Sequence, residues 1–257
     1  MEYFILSLVA FGAALLTFFS GFGLGTLLLP VFARFFPVEL AIALTGVVHF
    51  FNGIFKLLLI GRHAKQSVLL RFGIPAVLAA FAGAWLLLQL SEVPVLYHYE
   101  WLGHSFTMTP LKLVIAALLL LFALVDLLPF FERWQIQEKH LPIGGLLSGF
   151  FGGLSGHQGA LRSAFLVRAG MTKEAFIGTA TVIAVCIDLS RLSVYATRFW
   201  DSGLQHQAAL ILSATLAAIS GAYLGLRLLK KVTFTFIQRL VAIMLLLIGL
   251  ALGIGLI

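Results

Sequence analysis

His157, Gln158 and Arg162 follow a glycine-rich break, Ser155-Gly156-His157-Gln158-Gly159, set in an otherwise apolar stretch. Downstream, Thr181, Ala184, Asp188, Arg191 and Tyr195 recur at steps of three and four, which puts them on one face of one helix. Arginine offers a planar fork of donors that suits carboxylate, sulfonate and similar oxyanions. A helix that starts at such a break turns free N–H groups and a positive dipole end toward an anion. An earlier stretch repeats the plan. Ser20-Gly21-Phe22-Gly23-Leu24-Gly25 is a second break, and Thr45, His49, Asn52 and Lys56 follow it on one helix face. The chemistry on offer is recognition of a small anion by Ser20, Gly21, Gly23, His49, Asn52, Ser155, Gly156, His157, Gln158, Arg162 and Arg191. Asp188, His49 and Lys56 are the candidates for coupling that anion to protons or to compensating charge.

Each assignment has a structural alternative. Asp188 and Arg191 can form a local ion pair that only fixes helix packing. His49 and Asn52 can be interhelical hydrogen-bond glue, and Lys56 can snorkel to the surface. Ser20 and Ser155 can donate hydroxyls to an anion or cap their own short helices. Arg162 can contact substrate, neutralise Asp188 or snorkel. Intramembrane charge costs about 2.5–3.5 kcal/mol per residue on insertion scales, so each instance needs a reason.

The elements that must position these residues are membrane helices. The chain is 61% hydrophobic and 11% charged, with a mean hydropathy of +1.08. A soluble domain carries roughly 25% charge. Apolar stretches of about 20 residues recur, which gives an all-α polytopic membrane protein; the short alternating segments of a β-barrel are missing. The net charge of +7 fits basic cytoplasmic loops rather than nucleic acid. The single cysteine, Cys186, excludes an internal disulfide. The first apolar run has no Lys or Arg before it and is read as mature protein, not a signal peptide. No nucleotide-binding motif appears, so transport must run on gradients, and no cofactor is expected. His98, His104, Glu92 and Glu100 fit no metal motif and are read as a solvated loop within Ser91–Pro110.

A broken block at 3–36 precedes spans near Val38–Ile60, Ser67–Leu90 and Leu111–Phe131. A second broken block at 141–169 precedes spans near Glu174–Trp200, Gln207–Leu229 and Phe234–Leu256. A shift of 135 positions overlays Ser20-Gly21 on Ser155-Gly156, Glu39 on Glu174 and Lys56 on Arg191. The expected organisation is a first repeat at 1–131, a cytoplasmic linker at 132–140 and a second repeat at 141–257.

Basic residues choose between two topologies. If each broken block crosses once, six Lys and Arg lie inside and seven outside. If each is a hairpin, Arg62, Lys65, Arg71, Arg133, Lys139, Arg168, Lys173, Arg227, Lys230 and Lys231 lie inside, and Arg34, Lys112 and Arg198 outside: ten against three. The hairpin topology follows, with both termini outside and two inverted repeats, each a broken helical hairpin plus three transmembrane helices. Broken backbone survives in a bilayer only where protein buries it or it lines a polar cavity. Two such tips meeting near the midplane make a binding site between repeats.

This pattern resembles the sulfite exporter TauE/SafE family. The resemblance rests on Ser20-Gly21-Phe22-Gly23-Leu24-Gly25 with Pro30, and more firmly on Gly144-Gly145, Gly152-Gly153-Leu154-Ser155-Gly156, Gly159 and Lys173-Glu174-Ala175-Phe176-Ile177-Gly178-Thr179. Repeat length and size agree, so it covers nearly the whole chain. The resemblance implies a bacterial inner-membrane permease for sulfite, sulfonates or related small organic anions. The second tip departs from the pattern: His157-Gln158 and Arg162 stand where a run of small residues leading to a proline is expected. That departure implies a pocket more selective for an acidic or larger anion.

The expected function is therefore a secondary transporter of small organic or sulfur-containing anions, working by alternating access with protons as a possible co-substrate. An intramembrane enzyme or assembly factor would need a nucleophile–base pair or metal cluster, which no motif demands. A passive anion channel is the third alternative.

Overall fold

Helices form along the long apolar runs, and glycine or proline stands at several of their ends, among them Pro37 before Val38–Ile60 and Gly156 after Leu141–Ser155. The computed structural model describes residues 2–18, 23–101, 104–127, 137–167, 169–199, 205–228 and 234–256. The first half comprises α1 (Glu2–Thr17), α2 (Leu24–Ala33), α3 (Val38–Ile60), α4 (Gln66–Glu92) and α5 (Pro110–Leu127). The second repeats the order with α6 (Leu141–Ser155), α7 (Gly159–Leu166), α8 (Lys173–Phe199), α9 (Ala208–Leu228) and α10 (Phe234–Gly253). Helices α3, α4, α8 and α9 are long and apolar enough to cross a membrane.

The broken blocks are pairs of short helices. With 16 and 10 residues, α1 and α2 extend about 24 and 15 Å at 1.5 Å per residue. With 15 and 8 residues, α6 and α7 extend about 22 and 12 Å. No arm matches a hydrocarbon core of about 30 Å.

Small residues set the packing. Glycines 145, 149 and 153 of α6 lie against the backbone at Phe72, Ala76 and Ala80, so α6 and α4 run parallel in close contact. Gly221 and Gly225 of α9 meet the backbone at Phe11 and Leu15, so α1 and α9 run parallel too. Between α3 and α8 the direction reverses: Gly178 faces Ile60, Gly53 faces Val185 and Gly46 faces Leu192. Helix α5 packs on α10. Hairpin helices thus pair across the halves, α1 with α9 and α6 with α4, while α3–α8 and α5–α10 join corresponding helices.

Contacts between loops identify the two ends of the bundle. At one, the Lys65 N–H donates to Thr179 Oγ1 at 2.8 Å, and Arg71 lies 3.4 Å from Glu138. At the other, Arg198 pairs with Glu92, Lys112 Nζ donates to the Thr107 carbonyl at 3.0 Å, and the Tyr99 hydroxyl donates to the Ile254 carbonyl. The α6–α7 pair begins near Glu138 and hands over to α8 at the Thr179 end. The α1–α2 pair hands over to α3 at the opposite end, because α3 runs antiparallel to α8.

Two local features differ from the sequence reading. The segment read as a solvated loop contains an antiparallel hairpin, β1 (Tyr97–Trp101) and β2 (His104–Met108), with Tyr97 opposite Met108. Tyr99 stacks on Phe106 at 5.1 Å, which gives the hairpin an apolar face. In α4, residues Leu69–Gly73 form a π-turn just before Pro75. Proline lacks an N–H and its ring crowds the carbonyl four residues back, and the wider turn absorbs both.

Candidate functional site

Gly156 ends α6 in the left-handed region at φ 80°, its N–H donating to the Gly152 carbonyl at 2.9 Å. A side chain is disfavoured there on two counts: the backbone angle, and the Arg191 guanidinium, whose Nη1 lies 2.6 Å from where a Cβ would sit. The Ser155 hydroxyl donates to the Phe151 carbonyl at 2.9 Å, so its proton serves the helix end. His157 turns Nδ1 back to the Ser155 carbonyl at 2.9 Å. Ser148 holds the turn from below, donating to the Gln158 carbonyl at 3.0 Å.

Asp188 is the hub. Its Oδ1 accepts from Arg191 Nε at 2.9 Å and from Gln158 Nε2 at 3.2 Å, with Arg191 Nη2 at 2.8 Å. Its Oδ2 lies 2.5 Å from His49 Nδ1. Gln158 passes the chain on, accepting from Arg162 Nη1 at 2.9 Å. The Tyr195 hydroxyl donates to the Gly153 carbonyl, tying α8 to the end of α6. The structure thus joins His49, Asp188, Arg191, Gln158 and Arg162 in one network across α3, α8, the tip and α7. Asp188, Arg191, Arg162, Gln158 and His157 are all buried, while the His49 side chain keeps 17% exposure.

The first hairpin approaches the same place. Gly23, at φ 107°, starts α2. A Cβ on Gly25 would stand 3.8 Å from Thr45 and His49 and 3.9 Å from the Gly156 carbonyl, so the start of α2 lies beside the second tip. Ser20 and Gly21 lie outside the described residues. Asn52 is buried one turn from His49, and its Oδ1 has no partner among the described residues. Lys56 does not snorkel: it is buried, with Nζ 5.2 Å from the centre of the Phe18 ring.

Sequence reasoning missed Ser148, Gly46 and Phe18. Gly46 leaves room for Arg191, whose Nη2 would stand 3.2 Å from a Cβ there. Its signal was available: a small residue one position beyond Thr45 on the polar stretch of α3. Phe18 and Ser148 sit in apolar and glycine-rich runs where nothing singles them out.

The description Sulfite exporter TauE/SafE matches residues 6–252. The chain belongs to this family. It is accordingly a multi-pass membrane transporter of anions and not an enzyme. Among curated proteins none matches the chain. Among the described residues no group of three His, Cys, Asp or Glu is placed to hold a metal ion.

Proposed function

We propose that this chain is a secondary transporter of small sulfur-containing or carboxylate anions, which bind between the two hairpin tips. The observation that carries this is an imbalance of buried charge. Among the described residues Lys56, Arg162 and Arg191 are buried, against the single carboxylate of Asp188. Buried charge is costly unless paired, and an arriving anion supplies the missing sign. The Asp188 carboxylate and Gln158 orient both arginines, so the donors are set before the ligand arrives.

The two halves act as inverted repeats that rock about this site in alternating access. The exchanged pairing α1–α9 and α6–α4, and the opening of the hairpins toward opposite ends, support that reading. Both termini face outward, across an inner membrane. The His49–Asp188 pair is the coupling element, being the titratable contact that links the halves at the site. Asp188 reaches neighbours on three elements, so a change in its charge is felt by both arginine-bearing helices.

The test is flux of labelled sulfite, sulfonate and carboxylate into proteoliposomes, with thermal-shift titration of the same anions. Saturable, gradient-concentrated uptake that falls at least tenfold in Arg191→Ala and Arg162→Ala is expected. A ligand that stabilises both variants as well as the parent would remove the arginines from the site. Flux that never concentrates substrate would make the protein a channel. Loss of pH-driven uptake in His49→Gln, with exchange retained, is expected of the coupling pair.

A further inference from the structure

We infer that His157 makes the site selective for anions that carry a hydrogen-bond donor beside their charge, such as a hydroxylated, amino-bearing or singly protonated oxyanion. This rests on the tips being the anion site. The imidazole Nδ1 lies 2.9 Å from the Ser155 carbonyl, which can only accept, so Nδ1 carries the hydrogen. In the neutral ring Nε2 is then a bare lone pair. His157 is 6% exposed as a residue, and its buried Nε2 has no partner among the described residues.

A buried acceptor without a donor is a cost that a ligand can remove. The Ser155 hydroxyl is committed to Phe151 and cannot turn to Nε2 while that bond stands. Nearby charge explains why the donor must come on an anion. Arg191 sits over Gly156, the residue before His157, so an anion held by that guanidinium brings its substituents beside the imidazole. Asn52 Oδ1 on α3 is a second buried acceptor without a partner among the described residues. The site therefore has cations in excess and acceptors unfilled. One ligand meets both conditions if it has a negative group and an adjacent O–H or N–H. Sites built to hydrogen-bond such a group reject the analogue that lacks it more sharply than apolar pockets reject a change of size.

The experiment uses the full chain, purified, and matched anion pairs at one pH. 2-Hydroxyethanesulfonate is compared with ethanesulfonate, and glycolate with methoxyacetate, by thermal-shift titration and calorimetry. The expected result is a preference of about tenfold for the hydroxyl-bearing member of each pair. In His157→Leu that ratio falls to about one, and in His157→Asn, which keeps an acceptor, part of it returns. Equal binding of the pairs by the parent protein overturns the inference even if neither variant folds. So does a ratio that survives in His157→Leu, which would pass the role to Asn52. Absence of binding by all four anions would instead overturn the anion site itself.

Discussion

The two hairpins share a backbone device and differ in chemistry. Each is a pair of helices too short to span, with a left-handed glycine between the two, Gly23 in one and Gly156 in the other. At the offset of 135, however, His157, Gln158 and Arg162 stand opposite Phe22, Gly23 and Leu27, and Asp188, Arg191 and Tyr195 opposite Gly53, Lys56 and Ile60. The second hairpin is tied to its supporting helix by a chain of buried hydrogen bonds through Gln158 and Asp188. Among the described residues, the first packs through apolar contacts, with α2 burying Leu24, Leu27, Leu28, Leu29 and Phe32. Two halves with the same order of helices thus differ in the polar side chains they bury. On the proposed reading the second half carries the charge recognition, and the first supplies a wall, the buried Lys56 and the histidine that reaches Asp188.

The strongest way to break that comparison is to exchange the hub and its counterpart for the same residue. Asp188→Ala strips the acceptor from Arg191, Gln158 and His49 and leaves a buried cation unpaired. The expected cost is about 3–5 kcal/mol in thermal unfolding, with transport abolished. Gly53→Ala meets only Val185 Cγ2, 2.9 Å from the new Cβ, and gains helix propensity. Crowding Val185 costs about 1–3 kcal/mol and helix propensity returns about 1, so the expected loss is roughly 0–2 kcal/mol with anion binding retained. Equal losses at the two positions would show that the halves share their load.

A narrower comparison sharpens the role of the tip glycine. Gly156→Ala and Gly170→Ala both force alanine into the left-handed region, at φ 80° and 61°, but only Gly156 also faces Arg191, and nothing lies within 4 Å of Gly170. Strain alone costs about 1 kcal/mol. Gly170→Ala should therefore lose about that much with anion affinity intact. Gly156→Ala should lose about 2–3 kcal/mol and weaken anion binding as well, because the guanidinium must move. Binding left unchanged in Gly156→Ala would detach Arg191 from the ligand.

What the sequence disclosed follows from what is local. Spans are legible because a bilayer imposes a length on apolar runs, and the hairpins because glycine clusters interrupt those runs. The pairing of Asp188 with Arg191 follows from a three-residue spacing. No spacing rule joins His49 to Asp188 or places Gly25 beside Gly156, because helix packing alone brings those residues together. The burial of Lys56 stays open in the sequence for the same reason: Phe18 belongs to another element, and a lysine near a span end reads equally well as surface-bound. The hairpin at 97–108 did leave a signal, since Tyr97, Tyr99 and Trp101 alternate with polar residues over one short strand. It was outweighed by the polarity of its surroundings.

The smallest expected effect separates the two cations, and its direction matters more than its size. Arg191 is paired, so Arg191→Met should lower stability by leaving Asp188 short of donors. Lys56 is buried against the Phe18 ring, a contact of about 0.5–2 kcal/mol, and its desolvation opposes that gain. Methionine keeps the length of the stem and removes the charge. Replacing a buried ion with an apolar residue of similar volume is often neutral or stabilising. Lys56→Met should therefore leave the unfolding temperature unchanged or raised, within about 1 kcal/mol, while anion affinity falls about tenfold through the lost attraction. If stability and affinity move apart in this way, Lys56 is held in the bilayer by the ligand it attracts rather than by the fold. If both fall together, its place is structural, and the cation of the first half has no share in the site.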